Sequence, residues 1–224
     1  YKTFESLMHI HHLGKTQSIL NGFIAELRDV HIQKDPMRFR RNIERIGEVL
    51  SYELSKTLAY ASREVTTPLG TTTMMVPASR LVLCSVLRAG LPLHQGLLNY
   101  FDRAENAFIS AYRHHPDEGD AFEVVVRYFA APDLDGKTLI LTDPMLATGK
   151  TLENVLRTLR AHGEPEQIHI ISVIGSKTGL AHVREVFPEN THLWIAAVDD
   201  TLSAKGYIIP GLGDAGDLAF GEKL

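Results

Sequence analysis

The sequence predicts an α/β fold with a mostly parallel sheet flanked by helices. Short continuous apolar runs, which are typical of strands covered on both faces, alternate with segments whose apolar residues recur at helical spacing. Strands and helices that alternate in this way form parallel sheets with right-handed crossovers. The predicted core strands occupy residues 81–87, 106–112, 122–129, 139–141, 168–175 and 192–198.

Two helices are predicted ahead of this core, within about residues 16–60. The first follows Thr16 or Ser18, either of which can serve as a cap, and the second begins at Asp35 with Pro36 in its first turn. The second helix also carries an arginine-rich polar face, which is more often solvated and salt-bridged than a grip on an anionic ligand. These arginines are Arg38, Arg40, Arg41 and Arg45.

Two segments outside the core are a histidine-rich start and a hairpin. His9, His11 and His12 have no cysteine or carboxylate at a metal-ligand spacing nearby, so we expect an exposed lead-in rather than a metal site. Residues 65–77 predict a β-hairpin appendage, because Pro68 to Gly70 has turn chemistry and the flanking threonines and valines favour strands.

The connections between the core strands are predicted from the residues that separate the apolar runs. They are a helix at 91–101, a polar loop at 114–120, a turn at 132–136, and helices from Thr151 to Gly163 and from Thr178 to Val186. The segment 205–224 is rich in glycine and aspartate and is predicted to be irregular coil. We therefore expect residues 1–224 to form one domain whose core spans about 81–200.

Composition limits the classes of function. The 224-residue chain is 44% apolar and 22% charged, as globular proteins are, and its net charge of -4 argues against a nucleic-acid partner. The single cysteine, Cys84, lies in an apolar run, so we expect an inert buried thiol, which suits the cytoplasm. No apolar run approaches the roughly 18 residues that span a bilayer, and the N-terminus lacks a signal-peptide core, so no membrane partner is expected.

Residues 139–151, LILTDPMLATGKT, are the first indication of a function. A buried strand ends at Asp143, a loop of small residues follows from Ala147 to Gly149, and a helix starts at Thr151. Loop amides and a helix N-terminus offer N–H donors and partial positive charge to an anion, and the carboxylate can meet hydroxyls or a metal. The stretch therefore predicts a phosphate-binding loop.

Two motif matches are misleading. The string ATGKT resembles the end of a P-loop, but that motif needs a glycine five residues before Gly149, where this chain has Pro144. The tail string GLGDAG matches G-x-G-x-x-G, but only eight residues follow Gly216, which is too few to complete a βαβ unit. Neither a nucleoside-triphosphate site nor a dinucleotide site is predicted.

Four charged residues fall just after predicted strand ends: Arg88, Arg113, Asp143 and Asp199. In open parallel sheets, ligands bind beyond the carboxyl ends of the strands. One cleft is therefore expected to receive all four side chains.

Three strings resemble motifs of the uracil phosphoribosyltransferase family. DPMLATG at 143–149 resembles its phosphoribosyl-diphosphate loop, LRAG at 87–90 resembles its pyrophosphate loop, and GYIIPGLGDAGD at 206–217 resembles its uracil-binding segment. The motifs occur in the family's order, and the resemblance spans about residues 30–224. It implies a type I phosphoribosyltransferase-like fold and an enzyme of pyrimidine salvage.

The resemblance also implies a reaction and a set of site residues. The phosphoribosyl group of 5-phospho-α-D-ribose 1-diphosphate (PRPP) would pass to N1 of uracil, giving UMP and diphosphate, with catalytic roles for Asp143, Arg88 and Asp214. Mg²⁺ is the implied cofactor, held mainly by the substrate diphosphate rather than by protein ligands. The implied PRPP-binding residues are Arg88, Ala89, Gly90, Arg113, Asp143, Pro144, Met145, Leu146, Ala147, Thr148, Gly149, Lys150, Thr151 and Asp214.

The base and the oligomer are further implications of the resemblance. Uracil would meet backbone groups of Ile208, Gly213 and Ala215 beside Asp214, and the 114–120 loop would close over the diphosphate. A backbone edge has a fixed order of donors and acceptors, so cytosine would leave buried groups unpaired. The family also implies a homodimer or a larger homo-oligomer.

One departure from the family and two alternatives stay open. Lys150 stands where the family has glycine, so either the loop does not use a positive φ there or strain is tolerated, and the lysine adds a charge near the phosphates. A nucleotide-sensing regulator that binds RNA would need a basic face on its surface, and the net charge of -4 argues against one. A phosphoribosyltransferase for another base is disfavoured by the tail.

Overall fold

The computed structural model describes residues 8–114 and 123–222. Its longer strands are β1 (His9–His12), β2 (Tyr60–Thr67), β3 (Gly70–Pro77), β4 (Leu81–Leu87), β5 (Glu105–His114), β6 (Glu123–Ala130), β7 (Thr138–Thr142), β9 (Gln167–Ser176) and β10 (His192–Asp199). Three two-residue strands are β8 (Met145–Leu146), β11 (Thr201–Leu202) and β12 (Ile208–Ile209). The α-helices are α1 (Ile19–Arg28), α2 (Pro36–Ser55), α3 (Gly90–Leu98), α4 (Lys150–Leu159), α5 (Lys177–Val186) and α6 (Ala215–Phe220).

The main sheet is parallel apart from one edge. Its strand order is β1-β10-β9-β7-β4-β5-β6, and β8 also pairs with β9. Only the β5–β6 pairing is antiparallel among the recorded pairs of this sheet. The predicted fold class, a mostly parallel sheet flanked by helices with a hairpin appendage, is confirmed.

Helices cover both faces of the sheet. Ile140 packs in a cluster with residues of α1, α2 and α3, whereas its neighbours Leu139 and Leu141 pack in a second cluster with residues of α4 and α5. Alternate side chains of a strand point to opposite faces, so a strand covered on both sides must be apolar throughout. Cys84 lies in the second cluster, and burial raises the pKa of its thiol to about 12, in line with the expected inert cysteine.

The two N-terminal helices begin at the predicted capping residues, Ser18 and Asp35. The Ser18 side chain accepts a hydrogen bond from the Leu20 amide, and Asp35 accepts from the amides of Met37 and Arg38. On the arginine-rich face, Arg38 pairs with Glu26 on α1, which fits the predicted salt-bridged surface. No helix in the described ranges is long and apolar enough to cross a membrane.

The histidine-rich start is exposed at His9 as predicted, but it is not a lead-in, because residues 9–12 form the edge strand β1 beside β10. His11 stacks on Trp194 with ring centroids 3.7 Å apart, and its Nε2 lies 3.0 Å from Nδ1 of His192. Flat imidazole rings can cover apolar surface as other aromatic rings do. The sequence did not reveal that these histidines would pack in this way. Within residues 8–114 and 123–222, no group of three His, Cys, Asp or Glu side chains could hold a metal ion.

Two other boundaries differ from the prediction. The hairpin is longer than residues 65–77, because β2 begins at Tyr60 and pairs with β3 over its full length. The tail is not all coil: Asp214 accepts hydrogen bonds from the amides of Gly216 and Asp217 and thereby starts α6. The predicted loop at 114–120 lies, apart from His114, outside the described residues.

Three histidines aligned across the edge of the sheet are expected to make the free energy of unfolding depend on pH. His9, His192 and His169 are aligned across β1, β10 and β9, and His169 is buried, with its Nδ1 accepting from Nε1 of Trp194. Burial lowers the pKa of His169 to about 3 and that of His192 to about 4. A histidine with a depressed folded pKa contributes stability that is present above the unfolded value near 6.5 and is lost as pH falls towards the folded value.

We therefore expect the unfolding free energy to fall between pH 7 and pH 5, with His169 alone contributing about 2 kcal/mol of that loss. His169→Gln should remove this share, because glutamine does not titrate but still offers an oxygen to Trp194. Chemical denaturation at both pH values measures it, with the exposed His31→Gln as the control. An identical pH dependence in His169→Gln and the wild type would contradict this assignment.

Candidate active site

The predicted phosphate loop connects β7 to α4 at the carboxyl end of the sheet. The chain leaves β7 at Thr142, passes Asp143 and the short β8, and enters α4 at Lys150. Gly149 is the residue before the helix and has φ +80°, a backbone conformation that L side chains rarely adopt. Lys150 therefore has no positive φ. The backbone strain considered for a lysine in place of the family's glycine is absent.

The loop is held in place by residues at the junction of β9 and α5. The Ser176 hydroxyl donates to the Ala147 carbonyl at 2.6 Å and accepts from the Gly179 amide at 2.9 Å. A β-carbon on Gly179 would lie 2.4 Å from the Ala147 carbonyl oxygen, so only glycine permits this approach. The Ala147 carbonyl thus faces α5, and the start of α4 offers an anion the partial positive charge of a helix N-terminus.

Asp143 lies at the mouth of this loop. Its carboxylate accepts from the Met145 amide at 3.1 Å, and its carbonyl accepts from the Ser172 hydroxyl at 2.6 Å. With Thr148 and Thr151, Asp143 lines a small hollow at the start of α4. A carboxylate and two hydroxyls therefore surround the helix N-terminus where an anion would bind.

The predicted pyrophosphate loop meets the C-terminal segment. Arg88 follows β4, and its Nη2 lies 2.8 Å from Oδ1 of Asp217 while its Nη1 donates to the Gly221 carbonyl at 3.1 Å. Gly90 begins α3, and a β-carbon there would lie 2.6 Å from the Ser85 hydroxyl. The two segments, 133 residues apart in sequence, are thus in direct contact.

Two of the four charged residues expected after strand ends are placed differently. Arg113 lies inside β5, because β5 continues into its antiparallel pairing with β6, where Arg113 is opposite Val124. The side chain of Arg113 lies outside the described part of the chain. Asp199 is the last residue of β10, and its carboxylate accepts from Arg28 and from the Gly211 amide, which gives it a structural role between α1 and the tail.

The predicted base segment is a compact turn followed by α6. Ile208 pairs with Leu202, Gly213 has φ +90°, and Asp214 caps α6 ahead of Ala215. Burial raises the pKa of Asp199, but hydrogen bonds from Arg28 and Gly211 outweigh it and hold the pKa below its usual value. The segment is therefore fastened to the core beside Arg88.

Several residues that support the candidate site were not predicted from the sequence. Ser176 and Gly179 support the phosphate loop, Arg28 holds the tail, and Asp217 meets Arg88. Each acts on residues far along the chain, so spacing could not reveal it. Asp217 was inside a motif that resembled the family, but the resemblance assigned it no role.

A larger cavity of about 170 Å³ lies between α1 and β10, with His12, Asn21 and Ala197 in its lining. It contains none of the predicted phosphate, diphosphate or base residues. The candidate site is therefore the carboxyl edge of the sheet and not this cavity.

Comparisons with known proteins identify the family of the chain. A family model described as uracil phosphoribosyltransferase matches residues 15–222. A uracil phosphoribosyltransferase of Porphyromonas gingivalis is 53% identical over 217 residues, which cover 97% of this chain and 100% of that protein. One of Methanothermobacter thermautotrophicus is 41% identical over 190 residues, covering 84% of this chain and 86% of that protein.

A solved structure with a similar fold is that of the AQ2163 protein from Aquifex aeolicus. It superposes with a TM-score of 0.84 at 30% sequence identity, and the match covers 95% of this chain and 98% of that one. The fold, the order of the three motifs and the near full-length matches lead to one conclusion. The chain belongs to the uracil phosphoribosyltransferase family.

Proposed function

We propose that the protein transfers the phosphoribosyl group of PRPP to N1 of uracil, giving UMP and diphosphate. The observation that carries the proposal is the contact of Arg88 with Asp217, which joins the diphosphate loop to the base segment beside the phosphate loop. Both substrates would then meet in one cleft at the carboxyl edge of the sheet.

The ribose-phosphate half of the cleft is proposed to be the loop from Asp143 to Thr151. Its amides and the hydroxyls of Thr148 and Thr151 would hold the 5′-phosphate at the start of α4. Asp143 would accept from the ribose hydroxyls and stabilise positive charge that builds on the ring as the bond to diphosphate breaks. Lys150, at the first position of α4, would add positive charge close to the phosphates.

The diphosphate is proposed to bind Arg88, Arg113 and the backbone of Ala89 and Gly90. The guanidinium groups of the two arginines suit bidentate contacts. Mg²⁺ is proposed as an ion carried mainly by the substrate diphosphate, whose oxygens are the ligands that this hard cation prefers. It would neutralise charge on the diphosphate as that group leaves. Cleavage requires no covalent nucleophile from the enzyme, so the residues act by orientation and electrostatics.

The base is proposed to lie against backbone groups of Ile208, Gly213 and Ala215, with Asp214 on the phosphoribosyl side. A backbone edge cannot rotate its donors and acceptors to suit another base. Cytosine would leave buried groups unpaired, which costs about 1–3 kcal/mol or more. This fixed edge would give the preference for uracil.

We also propose that the protein is a homodimer or a larger homo-oligomer. The hairpin of β2 and β3 exposes large apolar side chains, including Leu69, Met74 and Met75. Such a surface is typical of contacts between subunits. Light scattering should therefore find at least a dimer that Met74→Lys with Met75→Lys weakens, and a monomeric wild type would contradict the proposal.

Replacing Asp143 by asparagine should lower kcat/KM with uracil and PRPP by about 100-fold or more, because the neutral amide cannot stabilise the developing positive charge. Arg88→Ala should cause a loss of similar size, about 100-fold, on the diphosphate side. UMP formation measures both. Asp200→Asn serves as the control, since Asp200 is 75% exposed just after β10, and wild-type rates in both site variants would refute the assignments.

In a substrate panel of uracil, cytosine, hypoxanthine and orotate, with and without Mg²⁺, PRPP-dependent turnover should be fastest with uracil. Cytosine should be slower by at least roughly tenfold, and chelation of the metal should abolish turnover. Faster turnover of another base would assign a different phosphoribosyltransferase. Salt-dependent RNA binding without any turnover would favour the regulator instead.

A further inference from the structure

The C-terminal end of α1 holds the base segment through Arg28. Its Nη1 lies 2.8 Å from Oδ2 of Asp199 and its Nη2 lies 2.8 Å from Oδ1, a bidentate pair. The same Nη1 donates to the Gly211 carbonyl at 3.1 Å. One planar group thus joins α1, the end of β10 and the tail.

Gly211 is held at both ends of its backbone. Its amide donates to Oδ2 of Asp199 at 2.9 Å, and its carbonyl accepts from Arg28. A β-carbon on Gly211 would lie 2.1 Å from the Ile208 carbonyl oxygen, so the turn around it is tight. The backbone between Ile208 and Gly213 has little room to move.

A second residue beyond α1 supports the same turn. The Gln33 side chain donates to the Leu212 carbonyl at 3.3 Å and to the Leu27 carbonyl of α1 at 2.8 Å. Consecutive tail carbonyls, of Gly211 and Leu212, are therefore tied to the end of α1 and the turn that follows it. These are the residues between the proposed base contacts at Ile208 and Gly213.

The Arg28–Asp199 pair is shielded from water. The side chain of Asp199 is 8% exposed and that of Arg28 is 26% exposed. A partly desolvated bidentate pair holds its geometry better than a surface ion pair. Lysine cannot reproduce it, because a single ammonium group lacks the planar fork that reaches two carboxylate oxygens and a carbonyl together.

We propose that Arg28 is a positioning residue for uracil recognition: through Asp199 and Gly211 it fixes the backbone edge that reads the base. This role rests on the proposed function. Arg28 lies 183 residues before Gly211 and outside the three motifs. It would act on the base indirectly, through Asp199 and Gly211. Loosening this clamp should harm the base site while leaving the phosphate loop, which is held by Ser176 and Gly179, unchanged.

The test compares Arg28→Lys with Arg38→Lys. Arg38 also forms a bidentate pair, with Glu26 at 2.9 and 2.6 Å, but among the described residues it makes no hydrogen bond to the tail. Arg28→Lys should raise KM for uracil about tenfold, with KM for PRPP and kcat within about twofold of wild type. Its ratio of uracil to cytosine kcat/KM should fall about fivefold or more, and Arg38→Lys should change none of these.

Gln33→Leu provides a second variant if Arg28→Lys folds poorly. It should raise KM for uracil about threefold without changing KM for PRPP. KM for uracil at the wild-type level in the folded variants would overturn the role, as would equal increases for both substrates. A wild type without uracil-dependent turnover would instead refute the proposed function, and this role with it.

Discussion

The contact between the phosphate loop and α5 is the constraint on which the cleft depends. Ser176 and Gly179 hold the Ala147 carbonyl against the start of α5, and Gly149 turns the chain into α4. Because the Ala147 carbonyl is held against α5, the loop leads into α4 with the N-terminus of that helix at the carboxyl edge of the sheet. The proposed anion site depends on this packing.

The second half of the cleft depends on longer connections. Arg88 reaches α6 through Asp217, and Arg28 fastens the turn before α6 to the end of β10. Both arginines join segments more than 100 residues apart, at 129 and 183 residues. A base site built from backbone groups needs such external supports, since it has few side chains of its own to define its shape.

The sequence could predict the features that depend on neighbouring residues. Apolar runs identified the buried strands, and Ser18 and Asp35 marked the starts of α1 and α2. Features that depend on distant partners were missed, such as the stacking of His11 on Trp194 and the ion pair of Asp199 with Arg28. The motifs predict where the site lies, but they did not reveal the contacts that hold those segments in place.

We propose that one edge of the sheet binds both halves of a nucleotide product. A crystal structure with UMP bound tests this most directly. We expect phosphate oxygens about 2.7–3.2 Å from amide nitrogens between Ala147 and Thr151, with the uracil edge against Ile208, Gly213 and Ala215. UMP bound elsewhere, or with its base turned away from the tail, would contradict it.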